Sequence, residues 1–345
     1  MNILYIGNKI EAVSAGADMV NLSNQNALEI ICANKIKYIP ISSKGINGKL
    51  SFGITNAILE HVDKELNSGK YNLVFVSQSY FGRINKYIKK RFPNIPIITF
   101  CHNIEKHYAE EYYRTKGLKA LPFYFLATHW ERRTFKYSDY IVVLNDRDNK
   151  VLERYYGRTA DSIIPSSIQD AFSLDSYVNR KTDIDFLFVG TAFFPNVTGL
   201  QWFIDKVLPE VNGNLTIVGR GMSSALFKNL NDRVNVVGFT RDLADYYYRS
   251  KMVISPVFSG SGMKTKTLEA LMYGKNILGT SEAFEGYKVD SKCMFVCNTA
   301  QEFIETINNR IWEVHNEAAR SVYLNNYTKD SCAIKYQALF KSIGS

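Results

Sequence analysis

Short runs of apolar, largely β-branched residues alternate with longer amphipathic stretches along nearly the whole chain. This alternation is typical of parallel sheets whose strands are joined by helices. In the first half, the apolar runs predict strands at residues 3–7, 73–77, 97–101, 140–144 and 162–164. The amphipathic stretches there predict helices at residues 55–66, 84–91, 119–136 and 147–156. The first half is therefore expected to form one doubly wound α/β domain.

A second domain of the same kind is expected after a break in this pattern. The polar segment at residues 165–183 has no sustained periodicity. Strands are then predicted at residues 186–189, 215–218, 234–237, 253–255, 277–279 and 294–296, and residues 300–342 look almost entirely helical. We expect a first domain at 1–165, a linker at 166–184, a second domain at 185–329, and a last helix at about 330–345 that packs back on the first domain.

Composition agrees with a folded two-domain protein and excludes several other classes. The chain has 345 residues, of which 46% are hydrophobic and 22% charged. Its longest apolar stretch, at residues 121–127, is far shorter than the roughly 20 residues that cross a bilayer, and the first residues do not resemble a signal peptide. We therefore expect a cytoplasmic location. The five cysteines include no CxxC pair, so we expect reduced thiols rather than a disulfide framework or a zinc site.

The positive charge lies almost entirely in the first half of the chain. Residues 1–165 hold 23 basic and 15 acidic residues, a balance of +8, whereas the remainder holds 19 and 18, a balance of +1. Segments 83–92 and 112–137 mix Lys and Arg with aromatic residues, which is typical of peripheral binding to a membrane interface. Helices that simply turn their apolar residues inward are the alternative. Without a nucleic-acid-binding motif, nucleic acid is not an expected partner.

The strongest chemical signal is the segment ISPVFSGSGMKTKTLEALMYGKNILGT, residues 254–280. Its pattern predicts a strand, a glycine-rich loop, a helix that begins near Met263, and a further strand. Gly260 and Gly262 allow close backbone approach, and the helix N-terminus presents N–H groups to an anion. A diphosphate would fit there, with Glu269 about one and a half turns further on; an ordinary β–α connection is the alternative.

Together with its neighbours, this segment resembles the retaining GT-B glycosyltransferases of the large family-four group. The matching stretches include FVGTAFFPNVTGLQWFIDKVLPEV, LTIVGRGM, VNVVGFTRDLADYYYRSKMVISP, SGSGMKTKTLEALMYG and NILGTSEAFEGY, which cover nearly all of residues 185–290. The first half matches more loosely, through its opening strand, a loop containing Gly16, and CHNIEKHY at residues 101–108. The resemblance implies the α/β GT-B fold, with two Rossmann-like domains facing across a cleft that holds the site.

The resemblance also implies roles for individual residues. Glu269 would bind the nucleotide ribose, Lys264 would stabilise the leaving group, and His102 would contact the donor sugar, with Glu105 as a residue that could orient it. Backbone groups of Ser261, Gly262 and Met263 would hold the diphosphate. The remaining donor-site candidates are Arg220 near the phosphates, Gly238 and Phe239 near the base, Glu285 and Gly286 of the second Glu-Gly, and Gly16.

The sequence departs from the pattern of the family in two regions. Ser261 stands where many relatives have the first Glu of an E-x7-E motif. Thr191 and Asn196 lie in the region where many relatives have an Arg and a Lys five residues apart. Neutralisation of the phosphates is therefore assigned to Lys264 and Arg220.

The resemblance implies an enzyme that transfers a sugar from a nucleotide-sugar donor, most simply a UDP- or GDP-sugar. The expected acceptor is a lipid-linked glycan or polysaccharide of the cell surface, such as capsule or O-antigen, at the inner face of the membrane. The reaction would retain the anomeric configuration and use neither metal nor cofactor, because backbone amides, a helix terminus and cations can stabilise the leaving phosphate. A sugar-nucleotide epimerase of the same fold and a catalytically silent sugar-nucleotide-binding scaffold are the alternatives.

Overall fold

The structure, a computed structural model, describes residues 1–10, 16–42, 50–178, 180–260 and 262–344. The chain divides into two compact units. The first comprises Met1–Ser167 and Lys329–Ser345, and the second comprises Ile168–Thr328.

The first unit is built on a six-stranded parallel sheet. Its strands are β1 (Ile3–Asn8), β2 (Ile36–Ile41), β3 (Leu73–Ser77), β4 (Ile97–Cys101), β5 (Tyr140–Val143) and β6 (Ser162–Ile163). They are arranged in the order β2-β1-β3-β4-β5-β6. Residues 73–77 and 97–101 are buried throughout, as expected for strands that are covered by helices on both faces.

Helices connect these strands. They are α1 (Gly16–Cys32), α2 (Asn56–Asn67), α3 (Gly82–Arg91), α4 (Glu105–Lys116), α5 (Leu121–Tyr137) and α6 (Asp146–Tyr156). The sequence prediction missed α1 and β2. The buried face of α1 includes the polar residues Asn21, Ser23 and Asn24, which interrupt the hydrophobic period that would have indicated a helix.

The second unit contains another six-stranded parallel sheet. Its strands are β7 (Ile184–Val189), β8 (Leu215–Val218), β9 (Val234–Gly238), β10 (Ser250–Ser255), β11 (Asn276–Gly279) and β12 (Met294–Val296). Their order is β12-β11-β10-β7-β8-β9, the arrangement of a dinucleotide-binding Rossmann sheet. Alternate residues of β7 enter two apolar clusters, Leu187 and Val189 one of them and Phe186 and Phe188 the other, so both faces of the sheet are covered.

The helices of this unit follow the same alternation. They are α7 (Leu174–Val178), α8 (Phe194–Lys206), α9 (Leu243–Arg249), α10 (Thr265–Met272), α11 (Ala300–Asn308) and α12 (Glu317–Asn326). Every strand expected in this half from the sequence is present, which confirms the prediction of a doubly wound fold.

The boundary between the units differs in detail from the predicted linker at 166–184. Residues from Ile168 onward belong to the second unit. There the Ile168 amide donates to the Tyr327 carbonyl at 3.2 Å, and Phe172 stacks on His315 with ring centroids 5.1 Å apart. Their apolar side chains are spaced irregularly among polar residues, so the pattern did not indicate packing. The last helix, α13 (Lys329–Ile343), packs in the first unit against α1, where Tyr336 donates to Asn24 at 2.8 Å.

Two further expectations concern cysteines and membrane spans. All five cysteines are buried and free. Within the described ranges, the structure contains no helix that is both long and apolar enough to cross a bilayer.

Candidate functional site

The topology of the second sheet directs attention to the carboxyl ends of β7 and β10. The chain runs from β7 to β8 on one side and returns to β10 on the other, so these two strands flank the point where the strand order reverses. Ligands of such sheets bind outside the strand ends at this point. The loop between β10 and α10 contains the glycine-rich segment singled out from the sequence.

Lys264 closes the glycine-rich loop at the start of α10. It is the N-cap residue, with an extended backbone and no side-chain cap. Its Nζ donates to the Gly262 carbonyl at 2.9 Å and to Glu282 Oε1 at 2.6 Å. Gly262 has a φ of +69°, a conformation that a side chain would strain. Lys264 is therefore at the predicted place, but its charge is already paired with a carboxylate.

The Glu285–Gly286 segment lies against the same end of α10. Tyr287 donates its hydroxyl hydrogen to the Lys264 carbonyl at 2.7 Å, and Thr267 donates to the Ala283 carbonyl at 2.9 Å. Met263 packs against the buried apolar cluster beside α10. Ser261 lies outside the described residues.

Glu269 is held by a residue that the sequence did not indicate. Tyr247, fully buried on α9, donates to Glu269 Oε2 at 2.9 Å. Burial raises the pKa of Glu269, while the Tyr247 hydrogen bond and the Lys266 charge oppose that rise. Both residues are thus fixed next to the α10 N-terminus. A run of three tyrosines at 246–248 gave no hint which of them would face Glu269.

Lys266 is a second residue that the sequence prediction missed. Its side chain is buried, and its Nζ donates to Asn196 Oδ1 at 2.5 Å and lies 4.2 Å from the centre of the Phe188 ring. Burial, and then the neighbouring charge of Lys264, lowers the pKa of Lys266 to about 7. Asn196 lies in one of the two regions that depart from the family pattern.

The loops that follow β7, β8 and β9 contact one another through their backbones. A Cβ added at Gly219 would lie 1.8 Å from the Gly190 carbonyl oxygen, so the backbones of the two loops are in direct contact. Gly219 donates to the Gly238 carbonyl at 2.7 Å. Arg220 lies over the exposed Phe239 ring, 5.9 Å from its centre. The structure thus brings together Arg220, Gly238 and Phe239, which the sequence assigned to one ligand.

In the first unit, His102 follows β4 and is almost completely buried. Its Nε2 lies 3.0 Å from Ser77 Oγ, and Ser77 in turn donates to Asn21 Oδ1 at 2.6 Å. Nε2 therefore carries the proton, and Nδ1 is a buried acceptor with no partner among the described residues. Burial lowers the pKa of His102 to about 3, so the ring is neutral at physiological pH.

Glu105 does not orient His102, because the ring is held by Ser77. Burial, and then the charge of Glu131, raises the pKa of Glu105 to about 8. Glu131 accepts the backbone N–H groups of Glu105 at 2.6 Å and Lys106 at 2.9 Å, and so caps α4. The sequence gave no signal for this long-range cap. Gly16 is the first residue of α1.

The acidic pairs that could suggest a metal have other partners. Asp183 and Asp185 form ion pairs with Arg249 and Lys251, and Asp148 bonds to Asn145 at the start of α6. Across the part of the chain that the structure describes, no group of three or more His, Cys, Asp or Glu side chains is placed to hold a metal ion.

Comparison with known proteins identifies the second unit. Residues 183–311 match the family model described as glycosyl transferases group 1. Over 140 residues, the chain is 33% identical to an uncharacterized 44.6 kDa protein in the cps region of Klebsiella pneumoniae. That match covers 36% of this chain and 36% of the relative, so it spans about a third of the relative's length.

Solved structures extend the likeness of fold to the whole chain. Sucrose-phosphate synthase from Thermosynechococcus elongatus gives a TM-score of 0.74 at 14% identity and covers 99% of this chain and 98% of its own. Anabaena HepE in complex with UDP and glucose gives 0.67 at 12% identity over 100% of both chains. A glycosyltransferase from Rickettsia africae gives 0.66 at 14% identity, over 99% and 98%. Residues 183–311 of this chain thus match the glycosyl transferases group 1 family model, and the chain has the GT-B fold with its two Rossmann-like domains.

Proposed function

We propose that this protein is a glycosyltransferase that moves a sugar from a nucleotide-sugar donor to a glycan or lipid-linked acceptor. The observation that carries the proposal is the placement of Glu269, which Tyr247 holds by one carboxylate oxygen next to the N-terminus of α10. The other oxygen is available to accept hydrogen bonds from ribose hydroxyls. The glycine-rich loop and the helix terminus then present N–H groups to a diphosphate.

The base and phosphates of the donor fit the neighbouring loops. Phe239 offers an exposed ring, 63% accessible, on which a base can stack, and Arg220 lies over that ring with a charge that can reach a phosphate. The structure of HepE, which shares the fold, was determined with UDP and glucose. UDP is therefore our first choice of nucleotide, with GDP as the alternative.

We propose that electrostatic stabilisation of the leaving diphosphate promotes cleavage of the bond between the sugar and the diphosphate. Negative charge builds on the phosphate oxygen as the sugar departs, and fixed amides and cations lower the energy of that state. In a reaction that retains the anomeric configuration, the departing phosphate can accept the proton of the acceptor hydroxyl. His102, neutral and with Nδ1 as an acceptor, would bind a hydroxyl of the donor sugar rather than transfer a proton at pH 7.

We propose that the acceptor is an intermediate in the synthesis of surface polysaccharide. The relative in the cps region of Klebsiella pneumoniae supports this assignment. We further propose that the protein binds the membrane through α4, α5 and the 3-10 turn Gly117–Ala120 between them. Tyr112, Leu118 and Phe125 are exposed in this region, together with Arg114 and Lys119. The more N-terminal basic segment contributes less, because Lys89 and Arg91 form ion pairs with Asp139 and Asp63.

A thermal-unfolding panel of UDP-, GDP-, ADP- and CMP-sugars tests donor binding. A donor present at about 100 times its Kd stabilises the folded protein by about 2.7 kcal/mol, which raises the melting temperature by several degrees. We expect such a shift with a UDP- or GDP-sugar. No shift with any of the four classes would contradict the proposal. Analysis of the products then separates transfer to an acceptor from epimerisation of the donor, and a bound donor that never turns over would indicate a silent scaffold.

A further inference from the structure

Lys266 is a buried cation whose single hydrogen-bond partner among the described residues is a neutral amide. Its Nζ donates to Asn196, whereas Lys264 pairs with the Glu282 carboxylate. Removing an ammonium group from water is unfavourable unless an anion or several hydrogen bonds replace the solvent. Buried charges of this kind occur at sites where a ligand provides the missing charge.

The amide of Asn196 is fixed in one orientation. Its Nδ2 donates to the Thr191 carbonyl at 2.9 Å, so Oδ1 faces the ammonium group of Lys266. Asn196 lies in the first turn of α8, whose N-cap residue Phe193 makes no side-chain hydrogen bond to that turn. The ammonium group is therefore held near a helix N-terminus, and two of its three N–H bonds have no partner in the part of the chain that the structure describes.

Gly190, at the carboxyl end of β7, lies close to this ammonium group. A Cβ added at Gly190 would lie 3.3 Å from Lys266 Nζ and 3.0 Å from Asn196 Nδ2. Gly190 does not have a positive φ, so its backbone conformation does not require glycine; the nearby polar atoms do. The Lys266 ammonium group and the Asn196 amide therefore lie against the carboxyl end of β7, where ligands of such sheets bind.

We propose that Lys266, positioned by Asn196, binds the diphosphate of the donor. This inference rests on the proposed function, and it transfers the role of phosphate-binding cation from Lys264 to Lys266. Lys264 instead orders the glycine-rich loop through the Gly262 carbonyl and Glu282. The low pKa of Lys266 agrees with this role, because a bound phosphate would restore the charge that burial disfavours.

Calorimetric titrations with UDP and uridine, and with GDP and guanosine, test the inference. The wild-type protein is expected to bind one diphosphate more tightly than its nucleoside. Lys266→Met keeps the length of the side chain and its packing on Phe188, and it should weaken diphosphate binding by 10- to 100-fold while nucleoside binding changes less than twofold. Asn196→Ala should give a smaller loss of the same kind. The matched control Lys251→Met removes an exposed lysine that pairs with Asp185, and it should leave both affinities unchanged.

The outcomes separate this inference from the proposed function. If Lys266→Met and Asn196→Ala bind the diphosphate as tightly as the wild type, the inference is wrong and the glycosyltransferase proposal stands. If the wild type binds neither UDP nor GDP, both are wrong. Melting curves show whether each variant is folded, and Lys266→Gln provides a second test if the methionine variant is not. Equal losses of nucleoside and diphosphate binding would also overturn the inference.

Discussion

The hydroxyl group of Tyr247 donates a 2.9 Å hydrogen bond to Oε2 of Glu269. Tyr247 is completely buried on α9, whereas Glu269 is partly exposed on α10. The bond restrains the carboxylate, and Oε1 has no hydrogen bond from the described residues. We therefore regard Tyr247 as a positioning residue for the ribose contact.

Removing this restraint should weaken donor binding without abolishing turnover. For Tyr247→Phe we expect KM for the donor to rise by about three- to tenfold while kcat changes less, because about 1 kcal/mol of ground-state and transition-state binding is lost together. Steady-state kinetics measure this. Tyr246→Phe is the matched control, since the Tyr246 ring packs next to Arg249 and its hydroxyl makes no hydrogen bond to Glu269 in the described structure. A purely structural role would instead lower the melting temperature and leave KM unchanged.

The Glu269 carboxylate should make the protein prefer donors with both ribose hydroxyls over donors that lack one of them. Glu269→Ala is expected to lower kcat/KM by about 100-fold, and Glu269→Gln by about tenfold, because hydrogen bonds to a charged group contribute about 1.5–3 kcal/mol. Donors that lack the 2′- or the 3′-hydroxyl provide the second arm of a double-mutant cycle. With the wild-type protein, one of the two deoxy donors should have a lower kcat/KM than the ribose donor. Equal preference for ribose and deoxyribose donors in the wild type and in Glu269→Ala would show that Glu269 binds something else.

His102 should remain neutral in the folded protein throughout the physiological range. Its pKa of about 3 lies below the ordinary value of 6.5, so the unfolded state takes up a proton first as pH falls. Stability should therefore decrease from about pH 6.5 toward pH 3, and His102→Asn should remove part of that decrease. Urea titrations at several pH values measure it, and an NMR titration of the ring should show no step above pH 5. A ring that titrates near pH 6.5 would contradict the burial-based account.

The charge of Lys266 makes a prediction of the same sign at higher pH. Its pKa is lowered to about 7 by burial and then by Lys264, so the unfolded state binds the proton more tightly between about pH 7 and 10.5. Stability should rise with pH across this window. The negative charge of Glu269 opposes this lowering of the Lys266 pKa. Lys266→Met should be more stable by about 1–4 kcal/mol at pH 7, with the difference shrinking toward pH 10.

Lys275 provides a comparison for that measurement. It is fully buried, donates to the carbonyls of Ser250 and Val314 at 2.8 Å, and also has a pKa lowered to about 7 by burial. Unlike Lys266, it is satisfied by backbone oxygens, so Lys275→Met should leave those carbonyls unpaired and destabilise the protein. If both methionine variants are destabilised to the same extent, Lys266 is a structural residue.

Membrane binding should depend on exposed apolar groups more than on the lysines of α3. Leu118→Glu with Phe125→Glu is expected to abolish most cosedimentation with vesicles that contain anionic phospholipid, because it removes two inserted side chains and adds repulsive charge. Lys90→Glu, at an exposed position of α3, is the control and should reduce binding only slightly. Equal binding of the double variant and the wild type would contradict a role for this surface.

The sequence pattern predicted the strands of both sheets except β2, the glycine-rich loop, and Glu269 on the helix that follows. These features are local, since periodicity and the glycine-to-helix order are visible in neighbouring residues. The partners of the site residues were not visible. Lys266 meets Asn196 across 70 positions, Glu131 caps a helix 25 positions away, and which tyrosine faces Glu269 depends on how α9 packs. Such contacts are set by tertiary packing.

Release of nucleoside diphosphate, measured with and without a glycan acceptor, tests the central claim most directly. The wild type should release the diphosphate of the donor that stabilises it, and release should increase with acceptor and yield an extended glycan. Glu269→Ala, shown to be folded by its melting curve, should reduce that release by about 100-fold. A wild-type protein that binds the donor but releases no diphosphate with any acceptor, or a Glu269→Ala variant that releases it at the wild-type rate, would contradict the account.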